Sequence, residues 1–297
     1  MKNFSTLRKL ALSACLGCLG CLGGLHLYAS AQVSSVPFTE KGFLFSDAPT
    51  LTYVWPAQTA QFTLVFIPGG EGHLGLTPER KTLGGFYGAT LKPLSDSTLT
   101  HGLFNVVVFD SPVILPAGTD YPTSRQSKEH LLRIESVVRY FLDRFGLPVW
   151  IMGHSNGAAS MTEFYKMLQQ NGNPQEIAGA IYSSARNGST FSRETRLPVL
   201  FLAHEKDACP KSRPANSQLV YEELKKTNSQ KVDYITLKLG QAQALSPCLS
   251  GFHMFNGAEA EAYQAIDQFA LQFLPLPLPL PLPLPLPLPL PLLKAQE

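Results

Sequence analysis

Pro148-Val149-Trp150-Ile151-Met152-Gly153-His154-Ser155-Asn156-Gly157 reads as a buried strand running into a tight turn, with a helical pattern starting at Ala158. A serine flanked two residues away on each side by glycine, between a strand and a helix, is held as a nucleophile. The turn is so sharp that the serine takes a strained backbone conformation, and side chains at 153 and 157 would collide with it. The strain lifts the Ser155 hydroxyl clear of the sheet, and the helix that follows aims its free N–H groups at the same spot.

Outward from this turn the chain alternates between two periods. Residues 62–67, 105–109, 177–182 and 199–203 are apolar runs of buried-strand length, and 232–239 alternates like a strand. Residues 127–145 carry Leu131, Ile134, Val137, Val138, Phe141 and Phe145 at helical spacing, ended by Gly146. Further helices are expected from the turn to about Gln170, at 219–226 and at 258–273. A hairpin of 42–47 with 51–55 is expected at the start, and a short helix at 93–99. Strands alternating with helices imply an α/β protein: a doubly wound, mostly parallel sheet with helices on both faces and little or no cap domain. Ligands bind at the carboxyl ends of such strands, and Gly70, Asp110, Ser155 and Asp207 all fall there.

A serine hydroxyl needs a base to take its proton and a carboxylate to orient that base. Asp207 lies just past the strand at 199–203, and His253 lies in a loop between the last strand and the final helix. Glu205 is the runner-up acid. Asp110 also ends a strand, where it is read as capping the loop entry. His154 adjoins the serine, but the turn is expected to send its side chain elsewhere. His204 sits on the acid loop, within reach of Asp207 or the pocket. His73, His101 and His130 precede the serine and fit a different chain order. The developing oxyanion needs two N–H donors. One is expected from Asn156, the other from the Gly-rich loop 68–73, where Gly70 is the first choice and Glu71 the second. No His, Cys and Asp cluster has metal-ligand spacing, so no metal and no cofactor are expected.

The ends of the chain have a different character. Residues 1–31 read as a secretory leader: Lys2, Arg8 and Lys9, a charge-free apolar run, then Ala29-Ser30-Ala31 as a small-x-small cleavage site. Leu12-Ser13-Ala14-Cys15 is a rival lipoprotein-type site that would anchor the chain through Cys15, and an uncleaved membrane anchor is a third reading. Cys15, Cys18 and Cys21 lie inside the leader, so Cys209 and Cys248 are the pair left in the mature chain. An even pair in an oxidising compartment implies a disulfide, which would tie the acid loop to the histidine loop. Residues 274–292 are an unbroken Leu-Pro alternation, which forbids helix and central strand and favours an extended polyproline spacer. That tail is a Pro-rich ligand, a stalk or a tolerated simple repeat. The chain thus divides into a leader (1–31), one folded domain (32–273) and a low-complexity tail (274–297). Lys and Arg number 24 against 22 Asp and Glu, dispersed through the sequence. Nucleic acid is therefore not an expected partner. The expected partner is a small acyl substrate, with no stable membrane insertion once the leader is removed.

Pro68-Gly69-Gly70, Gly153-His154-Ser155-Asn156-Gly157, Asp207 and His253 together resemble the α/β-hydrolase superfamily over residues 60–273. Within it, Asp207-Ala208-Cys209 and Cys248 to Phe255 resemble exported bacterial hydrolases of dienelactone-hydrolase-like type. The sequence departs from many esterases in having Pro68, not histidine, before the Gly-Gly pair. The resemblance implies a serine hydrolase acting on a carboxylic ester or related acyl compound. In that reading Ser155 is the nucleophile, His253 the base and Asp207 its partner. The competing expectation is an exported binding or adhesion module on the same scaffold, displayed through the tail.

Overall fold

The computed structural model describes residues 31–37, 49–80, 82–111, 124–229, 231–242, 246–249 and 251–274. Residues 1–30 of the leader with Cys15, the strand expected at 42–47, and the Leu-Pro tail beyond residue 274 lie outside the described residues.

Among the described residues eight strands form one sheet: β1 (Gln32–Val36), β2 (Thr50–Trp55), β3 (Phe62–Ile67), β4 (Phe104–Phe109), β5 (Val149–His154), β6 (Gly179–Ser183), β7 (Val199–His204) and β8 (Val232–Leu237), in the order β1-β2-β4-β3-β5-β6-β7-β8. The β1–β2 and β2–β4 pairs are antiparallel, and all others are parallel. On the edge of the sheet β2 pairs with β1, which follows the expected cleavage point and carries no strand signal of its own.

β3, β4, β5 and β7 are buried along their whole length, because both faces of the sheet are covered. The strand alternation splits their side chains between two layers. Val65, Ile67 and Ile151 pack beneath α1 (Lys128–Phe145), α2 (Asn156–Gln170) and α3 (Pro214–Asn228). Leu64, Phe66, Trp150 and Met152 pack on the opposite face with Ile266, Phe269 and Ala270 of α4 (Glu259–Leu271). Ser127 caps α1 by accepting from the His130 amide, and Gly146 ends it in the left-handed region at φ 63°.

The connection from β3 to β4 holds a π-helical turn (Tyr87–Leu91) running into a 3₁₀ turn (Lys92–Ser95), not the helix expected at 93–99. Leu83, Phe86, Leu91 and Leu94 dock there on the α4 face of the sheet. Among the described residues no helical domain is inserted between strands. β3 sits between β4 and β5, so the chain winds outward from it in both directions. The carboxyl ends of β3 and β5 therefore open onto one crevice at the reversal of strand order.

Candidate active site

Ser155 joins β5 to α2 at φ 55°, ψ −121°, a conformation rare for a residue with a side chain. Its amide donates to the Ser183 carbonyl (3.0 Å), and its own carbonyl accepts from the amides of Ala158 and Arg186 (both 3.1 Å). Those bonds hold the strained residue from three elements. The flanking glycines are required by contact: a Cβ on Gly153 would lie 2.6 Å from Ala158 Cα, and one on Gly157 would lie 2.0 Å from the Ile67 carbonyl oxygen.

His253 lies in a 3₁₀ turn (Gly251–Met254) after β8, and Asp207 lies in the loop after β7. His253 Nδ1 donates to Asp207 Oδ2 at 2.8 Å, with both side chains buried. The other carboxylate oxygen of Asp207 accepts from the Cys209 amide (2.9 Å). A disulfide joins Cys209 to Cys248 across 39 residues of chain, with Cα atoms 4.7 Å apart. The acid loop and the histidine loop are thus cross-linked next to the hydrogen bond they share. Glu205, the runner-up acid, is exposed and pairs with Lys206.

His253 Nε2 is buried and has no hydrogen-bond partner among the described residues. The ring lies near the Ser155 turn, 5.1 Å from the ring of His154. That contact corrects the expectation that the turn sends His154 away. His154 lies beside His253, its Nδ1 bonded to Ser183 Oγ (3.0 Å) and its ring against Phe86 and Phe255. Burial, reinforced by the adjacent His253, holds the His154 pKa well below the usual range, so it stays neutral.

The Gly-rich loop closes the other side. Gly69 approaches so closely that a Cβ there would lie 3.1 Å from Ser155 Cβ. Gly70 adopts φ 56°. Its carbonyl accepts from Asn156 Nδ2 (3.1 Å), and Asn156 Oδ1 accepts from Arg186 Nη1 (2.8 Å). The side chain of Asn156 thus fastens the loop to α2, a role the sequence did not signal. The main-chain amides of Gly70 and Asn156 have no acceptor among the described residues.

The remaining candidates are placed elsewhere. Asp110 accepts from the amides of Leu74 (2.6 Å) and Leu76 (2.7 Å) and faces His73 Nδ1 (3.1 Å), so it caps the loop after β3. His204 Nε2 donates to the Leu239 carbonyl (2.6 Å), while Nδ1 accepts from the Lys206 amide (3.0 Å). Its ring stacks on Phe252 at 4.4 Å. It braces the loops around His253, and its main-chain carbonyl accepts from the Asp207 amide (3.0 Å). His130 bonds Ser160 (3.0 Å) beneath α1, and His101 bonds Asp267 of α4 (2.5 Å). Phe86 is buried with its ring 4.6 Å from that of His154. After β6, Thr190 to Arg193 turn toward α3, where with Leu219, Val220 and Leu224 they line a separate cavity of about 360 Å³. Among the described residues no group of His, Cys, Asp and Glu could hold a metal ion.

The strand order, the strained turn and the loops after β7 and β8 define an α/β-hydrolase fold. The chain is similar in structure to an α/β serine hydrolase without lid from Xanthomonas campestris, at 13% identity and a TM-score of 0.54, covering 84% of this chain and 97% of that one. It is similar to an esterase from Pyrococcus furiosus, at 12% identity and a TM-score of 0.54, covering 82% of this chain and 92% of that one. It is also similar to a dienelactone hydrolase from Anabaena variabilis, at 12% identity and a TM-score of 0.51, covering 83% of this chain and all of that one. No protein-family model and no curated protein matches the chain.

Proposed function

We propose that this protein is a serine hydrolase that cleaves a carboxylic ester or related acyl compound through an acyl-enzyme. The observation that carries this reading is the strained Ser155 next to His154, whose ring lies 5.1 Å from a buried His253 bound through Nδ1 to the buried Asp207. Like His253, the neighbouring His154 has an Nε2 without a hydrogen-bond partner among the described residues, but its Nδ1 meets a serine hydroxyl, whereas His253 is bound to a buried carboxylate that can orient it and stabilise its charged form. The solved hydrolases of the same fold support the class of reaction.

In this mechanism the Ser155 hydroxyl attacks the substrate carbonyl and its proton passes to His253 Nε2. Asp207 holds the ring so that Nε2 presents its lone pair, and stabilises the imidazolium that forms. The carbonyl oxygen becomes an oxyanion bound by the amides of Gly70 and Asn156. As the tetrahedral intermediate collapses, the bond to the leaving alcohol breaks and His253 returns the proton to that oxygen. Water then repeats the cycle on the acyl-serine and releases the acid. Each oxyanion donor contributes about 10²- to 10³-fold to turnover. The disulfide and the leader support export, and no described helix is long and apolar enough to cross a membrane.

A fluorophosphonate probe tests the reading directly. The mature protein should label at one site, Ser155→Ala should not label, and a panel of esters of increasing acyl length should then define the substrate. Folded protein that neither labels nor turns over any ester would sink the proposal and favour the binding module.

A further inference from the structure

Arg125 is 1% exposed and helical, three residues ahead of α1. Among the described residues it has no carboxylate partner, and its Nε has no hydrogen-bond partner. A buried guanidinium is costly to desolvate, so its contacts should account for it. Among the described residues those contacts are two main-chain carbonyls of one loop. Nη2 donates to the Pro68 oxygen and Nη1 to the Glu71 oxygen (3.3 Å). Between them the Gly72 amide donates to the Gly69 carbonyl (3.0 Å), closing a tight turn over residues 69–72.

The geometry of a peptide plane links this clamp to the site. The C=O and N–H of one peptide point in opposite directions. Fixing the Gly69 carbonyl inside the turn therefore fixes the direction of the Gly70 N–H, the proposed oxyanion donor. One planar fork grips the turn at both ends, which a lysine ammonium cannot do. The fit is close: a Cβ on Gly72 would lie 1.8 Å from Nη1, so only glycine leaves room for the fork. Burial lowers the guanidinium pKa to about 10, and the group remains a cation at neutral pH.

We propose that Arg125 is a positioning residue that holds the loop 68–72 so that the Gly70 amide faces the oxyanion. The proposal rests on the serine-hydrolase reading and deepens it. The loop is pre-aligned before substrate arrives, so the residue acts on the transition state more than on substrate binding.

The test uses the mature protein and an ester that the wild type hydrolyses, with sites counted by end-point fluorophosphonate labelling. Arg125→Met should lower kcat per labelled site by about 10²-fold or more, with KM changed less than about threefold. Affinity for a boronate transition-state analogue should fall in parallel. Guanidinium ion added to Arg125→Ala should restore at least about tenfold of the lost rate. Should Arg125→Met not fold, Arg125→Lys carries the test: a buried cation is retained but the fork is lost, and kcat should still fall about tenfold or more. A folded variant with kcat and boronate affinity unchanged, or with the loss entirely in KM, would overturn the role of Arg125 while leaving the hydrolase reading intact. A wild type that neither labels nor turns over would overturn both.

Discussion

His253 Nδ1 and Asp207 Oδ2 are 2.8 Å apart, and the two side chains are 1% and 0% exposed. A charge-assisted hydrogen bond sealed from water holds the imidazole in one tautomer, with Nε2 as the acceptor. Asp207→Asn should keep the fold, because the amide oxygen can still accept from Cys209, but it would favour the wrong tautomer. The expected outcome is a fall in kcat of about 10⁴-fold with a folded, well-ordered protein. Steady-state kinetics with circular dichroism as the fold check would decide it. A loss under tenfold would mean that Asp207 does not orient the base.

The Cys209–Cys248 bridge closes a 39-residue span beside that bond. In the chain-entropy picture it stabilises by about 4 kcal/mol at 25 °C. Replacing both cysteines with serine should lower the midpoint of thermal unfolding. It should also cut activity at temperatures where the variant is still folded, because the two loops lose their mutual register. Ester turnover and near-ultraviolet circular dichroism, followed with and without reductant, separate the two effects. Activity that tracks only the folded fraction would reduce the bridge to a purely stabilising role.

Legibility from sequence followed how local each requirement is. The turn at Ser155 needs two glycines, an apolar strand and a helix start within a few residues of each other, and all of these can be read along the chain. The disulfide was legible because Cys209 and Cys248 are the two cysteines that lie outside the expected leader. β1 was not: Gln32-Val33-Ser34-Ser35-Val36 is a weak edge strand that forms because β2 pairs with it, a non-local cause. The π-helical turn at Tyr87–Leu91 carries no periodic signature of its own. Arg125 and the side chain of Asn156 look like solvated loop residues until the carbonyls they grip are brought to them by the sheet. The position of His154 was misread because the strand's alternation, not the turn, sets its direction, and that alternation places it on the α4 face next to His253.

Close approach at the nucleophile turn makes a prediction about glycines. Gly157→Ala puts a methyl 2.0 Å from the backbone oxygen of Ile67 in a central strand, which cannot yield as a flexible side chain would. A cost of roughly 1–3 kcal/mol or more is expected from overpacking, together with loss of probe labelling as the turn shifts. Gly84→Ala is the control, since nothing lies within 4 Å of a Cβ there. It should change denaturant midpoint and labelling little. Equal effects from the two substitutions would show that the turn is less tightly packed than the contacts imply.

Two buried histidines should make stability depend on pH. Burial holds the pKa of His130 well below the usual value, and the Arg125 and Arg133 cations add to the shift. Burial and then the His253 ring do the same for His154. Between these depressed folded values and the unfolded value of about 6.5, the unfolded chain binds protons that the folded chain does not. Stability from both groups is therefore complete above about pH 7 and is lost on acidification. The slope should approach about 1.4 kcal/mol per pH unit for each histidine. Denaturant unfolding from pH 7.5 to pH 5 measures this slope, and His130→Gln should flatten it by one histidine's share. An unchanged slope in that variant would mean that His130 takes up its proton in the folded state, against the burial that its bond to Ser160 beneath α1 imposes.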